Sequence, residues 1–206
     1  MLAALQAVTT TPLIAAAERL ETPHEHASAA ASEAQHDEAT PAPAARALTT
    51  LIATTGIAVG YAWILLALMH VAGRPISARS IVPWAVAGFL ATGLAPSFGL
   101  APALPGAAES DLAARQLWWI GTAAATGAGL AALALGRGKL MALLGLALIL
   151  LPHLVGAPIA AAPVSRVPAE IAAAFAASSL GLQFLAWTVP AVIAGYAVAR
   201  LEPAAP

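Results

Sequence analysis

The sequence predicts an all-α, polytopic integral membrane helical bundle of about six transmembrane helices, broken by a Pro-rich non-helical segment. Three observations lead there. Only 9% of the 206 residues are charged and 60% are apolar, against roughly 25% charged in a soluble domain. Uncharged runs extend from Ala47 to Val71, Ser80 to Ala108, Gln116 to Gly136, Leu140 to Ser165 and Ile171 to Ala199, each longer than the roughly 20 residues that cross a hydrocarbon core of about 30 Å. The period-2 alternation of barrel strands is absent. Lipid offers no partner for backbone N–H and C=O groups, so such runs must become helices.

Residues 1–206 form a single membrane domain, and the elements follow in order. Segment one, Met1 to Ala17, is interrupted by Thr9, Thr10, Thr11 and Pro12, and at about 1.5 Å per residue it barely spans. Ala15 to Ala17 resembles a signal-peptide cleavage site, but the basic stretch that should precede it is missing; a start codon further upstream would instead lengthen the span. Glu18 to Arg46 is an acidic, His-containing extramembrane loop with no aromatic residue and no apolar periodicity. It cannot bury enough surface to offset its ordering entropy, so a flexible loop is expected over 18–46. Segment two, Leu48 to Met69, carries Gly56 and Gly60 at helical spacing, suited to close approach of another helix or simply small-residue filling.

Segment three runs from Ile81 to about Ala95. Pro96 to Gly106 follows, apolar but holding Pro96, Pro102 and Pro105, so it is expected to leave the helix and either re-enter the membrane or tuck against the bundle rim. Segment four, Gln116 to Gly136, opens with the interfacial pair Trp118 and Trp119. Segment five, from Leu140 to about Gly156, ends in Leu151-Pro152-His153-Leu154-Val155-Gly156-Ala157-Pro158. Segment six, Ile171 to Ala199, includes Gln183, Trp187 and Pro190 and is long enough to require tilt or a kink.

Six spans put both termini on one side, with Arg74, Arg79, Arg137, Lys139 and Arg200. The other side carries Arg19, Arg46, Arg115 and Arg166 but nine of the ten acids. Five basic residues against four, by the positive-inside rule, place the termini in the cytoplasm and the His loop outside. Pro96 to Gly106, the tryptophan pair, His153 and Pro158 then share the outer face with that loop, as a capture site and pore mouth would.

The composition also excludes chemistries. There is no cysteine, hence no disulfide, thiolate metal site or thiol catalysis. A net charge of −1 offers no basic face for nucleic acid. No acid, base and nucleophile can be assembled from the buried residues, so an intramembrane enzyme is the least favoured class.

Candidate metal ligands are His24, His26 and His36 in the loop, interleaved with Glu25, Asp37 and Glu38. Imidazole and carboxylate suit borderline divalent ions, and a flexible loop would exchange them quickly; three incidental histidines are the alternative. His153 is the sharper candidate. It lies within an uncharged run beside Pro152, which cannot bond back to the Leu148 carbonyl. A histidine bonded to a neighbouring carbonyl at the interface is the bland reading. Arg115 and Gln116 anchor their helix or hold the Pro-rich segment, on which the tryptophans could stack. His70 reads as the inner end of segment two.

Several blocks occur together in one order: Pro12-Leu13-Ile14 leading to Glu18, a His-bearing loop, Arg46, Gly99-Leu100-Ala101-Pro102-Ala103-Leu104-Pro105-Gly106, and Arg115-Gln116-x-Trp118-Trp119. Pro152-His153-Leu154-x-Gly156-Ala157-Pro158, Pro168 and Phe175 follow. In this the chain resembles the CbtA family, the predicted cobalt transporter subunits of bacteria, over nearly its whole length. The resemblance implies a multi-pass protein of the bacterial inner membrane that takes up Co2+ for cobalamin supply, with Ni2+ the nearest alternative ion and no permanently bound cofactor. It also implies a small single-span, His-containing partner resembling CbtB; a homo-oligomer is compatible with it. Glu18, Pro96, Gly99, Pro102, Pro105, Gly106, Arg115, Gln116, Trp118, Trp119, Pro152, Gly156 and Pro158 become pore-mouth or structural candidates.

Two departures from the family stand out. Members usually carry an acid where this chain has Ala103, and their loop is richer in histidine, with a Trp-Pro block before the arginine. No nucleotide-binding motif is present, so any ATP drive would come from another chain. The competing function is a non-transporting scaffold or regulatory subunit of a separate divalent-metal permease. A permease should converge polar or carbonyl groups on an enclosed path; a scaffold should show dry helix contacts and an exposed apolar groove.

Overall fold

A computed structural model describes residues 1–20, 43–107, 110–160 and 167–201, with side chains from Leu48 in the second stretch. Among the described residues the chain forms six helices and no strand. They are α1 (Leu2–Glu18), α2 (Pro43–Val71), α3 (Ile81–Ser97), α4 (Leu112–Leu135), α5 (Gly138–Val155) and α6 (Ala169–Leu201). The all-α membrane bundle read from the sequence is what the chain builds.

Four helices are long and apolar enough to cross a bilayer: Leu48–Val71, α4, α5 and α6. α1 has 17 residues and α3 is also shorter than the rest. α6, at 33 residues, is about 50 Å long at about 1.5 Å per residue and exceeds a hydrocarbon core of about 30 Å. Large apolar side chains point outward all round the bundle, among them Trp63, Leu143, Leu154 and Ile193. Such a surface is unfavourable in water and expected in lipid.

The boundaries differ from the sequence reading in three places, each for a local reason. α2 begins at Pro43 rather than after Arg46, because proline suits a first helical position that needs no N–H. α4 begins at Leu112 rather than Gln116; Asp111 caps it, its Oδ1 accepting from the Ala114 N–H at 2.9 Å. That places Arg115 within the first turn of the helix rather than before it.

The third difference is the largest. α3 does not stop before Pro96: it widens to a π-turn at Leu90–Leu94 and resumes as α-helix over Ala95–Ser97. The Ala95 N–H bonds back to the Leu90 carbonyl, one residue further than an α-helix would. In this wider turn Pro96 is accommodated and fully buried. The chain leaves the helix only at Phe98, closing with bonds from the Gly99 and Leu100 amides to the Pro96 carbonyl at 3.1 and 2.8 Å.

α6 is the hub, packing on α1, α2 and α3. Leu65 and Met69 of α2, Ile81 and Ala85 of α3, and Trp187 and Ala191 of α6 form the main buried cluster. Tyr61 stacks flat on Trp187, with centroids 4.0 Å apart and planes at 5°. α4 and α5 form a hairpin joined at Gly136 and Arg137, and α5 makes its helix contacts with α4 alone among the described residues. The two helices touch backbone to backbone: a Cβ on Gly145 would lie 2.7 Å from the Gly129 carbonyl oxygen, and one on Gly129 would lie 2.6 Å from that of Gly145. Gly56 and Gly60 of α2, by contrast, face open space. The close helix approach expected of that pair is made instead by α4 and α5.

Candidate functional site

The site grows from the π-turn. An α-helical residue at position 96 would donate to the Thr92 carbonyl, but Pro96 has no N–H. The Gln183 Nε2 of α6 approaches that carbonyl instead, at 3.4 Å. The Thr92 hydroxyl donates to the Gly88 carbonyl at 2.9 Å and accepts from the Trp187 indole N–H at 3.0 Å. Gln183 also interacts with the Tyr61 hydroxyl. A polar cluster of uncharged groups thus sits amid apolar helices, at a π-turn of the sort that proteins often use functionally.

Above it lies a cavity of about 720 Å³, here termed the loop-side cavity. Its floor is Thr92, Gly93, Leu180 and Gln183; one wall is Pro96, Ser97 and Gly99 to Ala103, and the other is Arg115, Gln116, Trp119 and Ile120 of α4, with Pro158 and Ala160. The Pro-rich stretch beyond Ser97 is non-helical and packs onto the bundle. Leu104 is buried against Ala17 of α1 and Val167. Gly99 fits where nothing larger can: a Cβ there would lie 2.5 Å from the Trp118 ring and 2.7 Å from the Ala157 methyl. Gly106 turns the loop with φ of 76°, and Gly156 ends α5 with φ of 86°, values that side-chain-bearing residues resist.

Of the residues singled out from the sequence, Pro96, Gly99, Pro102, Arg115, Gln116, Trp119 and Pro158 line this cavity. So does Ala103, where relatives were expected to carry an acid. Pro105, Gly106, Trp118, Pro152 and Gly156 stand outside its lining. Glu18 is exposed at the end of α1. His24, His26 and His36 lie outside the described residues. Among the described residues no group of three or more His, Asp or Glu side chains comes together.

His153 also stands behind the cavity wall rather than on it. Its half-buried ring meets Phe98 and Trp118 edge-on, each at 6.1 Å between centroids. The Trp118 indole N–H is buried without a partner. His153→Phe separates the two roles open to this ring. Aromatic packing predicts a thermal-unfolding midpoint in detergent near the parent value; a clear drop would mean that the imidazole nitrogens, and not the ring's shape, hold the contacts with Phe98 and Trp118.

Thr92, Gly93 and Gln183 were not recognised as site residues from the sequence. The signal was present in Gln183, the sole carboxamide within segment six, and in a threonine four residues before Pro96. Both are weak without knowing that α3 and α6 face each other.

An apolar helical bundle holding an open, polar-floored cavity beside an irregular loop is the architecture of a polytopic membrane protein. The chain belongs to the CbtA family, described as probable cobalt transporter subunits, which it matches over residues 1–199. No curated protein and no solved structure matches it.

Proposed function

We propose that this chain is the ion-conducting subunit of a Co2+ uptake system of the bacterial inner membrane, supplying cobalamin synthesis. The observation that carries the reading is the loop-side cavity, which reaches from the Pro-rich loop down to a carbonyl and a carboxamide held among apolar helices. Polar groups at that depth are costly unless they face a wet or functional interior. The cavity faces the periplasm in this reading, with both termini cytoplasmic. Reporter fusions at Ser32, Ser77, Ser110 and Pro206 test the sidedness: a cytoplasmic Ser32 together with a cytoplasmic Ser77 would sink it.

The His loop delivers metal to that cavity through His24, His26 and His36, binding weakly and exchanging fast. Replacing all three is expected to slow uptake at low cobalt more than at saturating cobalt. Equal slowing at both would leave the loop as a tether. The subunit description supports a second chain, which we take to be a small single-span, His-containing protein. The decisive measurement is radiolabelled cobalt uptake by cells expressing this chain with and without that partner. No uptake in either case would end the proposal.

The scaffold reading keeps one observation in its favour. An apolar groove of about 820 Å³ opens between α2, α3 and α4, lined by Ile64, Leu68, Ala87, Gly127 and Ala131 among others. A helix seated there would make dry contacts and would share only Thr92 with the lining of the loop-side cavity. Purified chain and partner reconstituted in vesicles separate the two readings, because a scaffold would carry no Co2+ without a further permease.

A further inference from the structure

A second cavity, of about 320 Å³, lies between α1, α2 and α6. Its apolar walls are studded with Gln6, Thr10, Thr54, Tyr61 and Ser179. The Thr54 hydroxyl lies 3.4 Å from the Gln6 Oε1, and Thr10 is buried, with its hydroxyl bonded to the Gln6 carbonyl at 3.1 Å. In a lipid-embedded bundle inward hydroxyls and amides bond helix to helix, as Thr54 and Gln6 do here. Those facing a cavity, Tyr61 and Ser179 among them, give it a polar lining of the kind that ion paths use. Gln183 belongs to the walls of both cavities. It stands about 21 Å along α6 from Ala169 at about 1.5 Å per residue, well inside the bilayer.

We propose that Gln183 is an ion-binding partition, across which a divalent cation passes from the loop-side cavity into the cavity between α1, α2 and α6. This rests on the transport reading above and adds the route. The side-chain nitrogen is held by the Thr92 carbonyl, leaving Oε1 to meet the ion. Gly93 makes room for it: a Cβ there would lie 2.6 Å from that oxygen. Neutral oxygen donors suit the task. They replace part of a hydration shell, yet without a carboxylate they release the ion again, as conduction requires.

The chain has no cysteine, so a single introduced thiol reports without background. In Ala186→Cys, which lines the second cavity beyond Gln183 as counted from Ala169, a small membrane-impermeant methanethiosulfonate cation added on the loop side should modify the thiol. Adding Gln183→Leu, which closes the partition with an apolar group, should slow modification by about tenfold or more. The same substitution in the otherwise native chain should cut Co2+ uptake by about as much, and Gln183→Asn, which keeps a neutral amide oxygen, should retain part of it. Unchanged thiol modification and unchanged uptake with Gln183→Leu would overturn the proposal. Should Gln183→Leu fail to insert, Gly93→Ala carries the test: its methyl displaces the Gln183 side chain, and equal thiol modification with and without it would refute the partition. The thiol arm needs no cobalt. A native chain that carries no Co2+ would therefore sink the transport reading and still leave the route decided.

Discussion

Gly99→Val is expected to abolish cobalt uptake while leaving the chain in the membrane. Gly99 lies at the turn where the loop leaves α3, and its Cα presses on the Trp118 ring and the Ala157 methyl. A first added carbon already overlaps both, and neither neighbour yields easily. Trp118 is wedged against His153, which in turn meets Phe98, and Ala157 follows the glycine that ends α5. Overpacking of this kind costs about 1–3 kcal/mol. Here the loop can relieve it by lifting off, since it is anchored beyond Gly99 chiefly through Leu104. Lifting removes one wall of the loop-side cavity. The expected signature is normal expression, increased proteolysis between Phe98 and Ala107, and no uptake. A loop still protected and an uptake rate near the parent level would refute the packing account. Gly99→Ala should give a milder version of the same defect.

The second large effect is expected at Gly145. Gly145→Leu puts a branched side chain where the Gly129 carbonyl and the Leu133 side chain already sit within 3 Å of a Cβ position. The obstacle includes backbone, which cannot rotate aside as a flexible side chain would. α4 and α5 must therefore separate, at an expected cost of about 3 kcal/mol or more. Because α5 packs on no other helix among the described residues, nothing compensates. We expect the variant to lose most of its folded population, seen as a lower midpoint in detergent thermal unfolding and rapid turnover in cells. Gly56→Leu and Gly60→Leu are the controls, since a Cβ at either meets nothing within 4 Å. A drop at Gly56 or Gly60 equal to that at Gly145 would mean that α2 is covered by a partner, and that the hairpin contact is unexceptional.

The helices were legible because their signal is extreme. A charge-free run longer than a bilayer is thick has few other fates. The break after α3 was legible from prolines alone, but its start was not. The sequence reading stopped α3 before Pro96, and a π-turn at Leu90–Leu94 carries the helix on to Ser97. No local preference marks that turn; it follows from packing against Gln183 and Trp187 of α6, contacts separated by more than 90 residues of chain. Proline frees the carbonyl four residues before it, at Leu148 for Pro152 and at Thr92 for Pro96. The carbonyl met by a polar side chain is the one Pro96 leaves open, at Thr92. Which glycine pair brings helices together was equally illegible, since Gly56 with Gly60 carries the familiar spacing and Gly129 with Gly145 does not. Spacing within one helix says nothing about the partner's surface.

α5 has a mechanical role that its composition hides. It is 18 residues long, about 27 Å at about 1.5 Å per residue, close to the thickness of a hydrocarbon core. Among the described residues α4 is the one helix that α5 packs on, and α4 carries Arg115, Gln116 and Trp119 on the cavity wall, so bilayer strain on α5 is passed to that wall. The hairpin is thus a lever with lipid at one end and the aperture of the cavity at the other. Acyl-chain length is therefore expected to set the tilt of α5 and, through α4, the width of the cavity mouth.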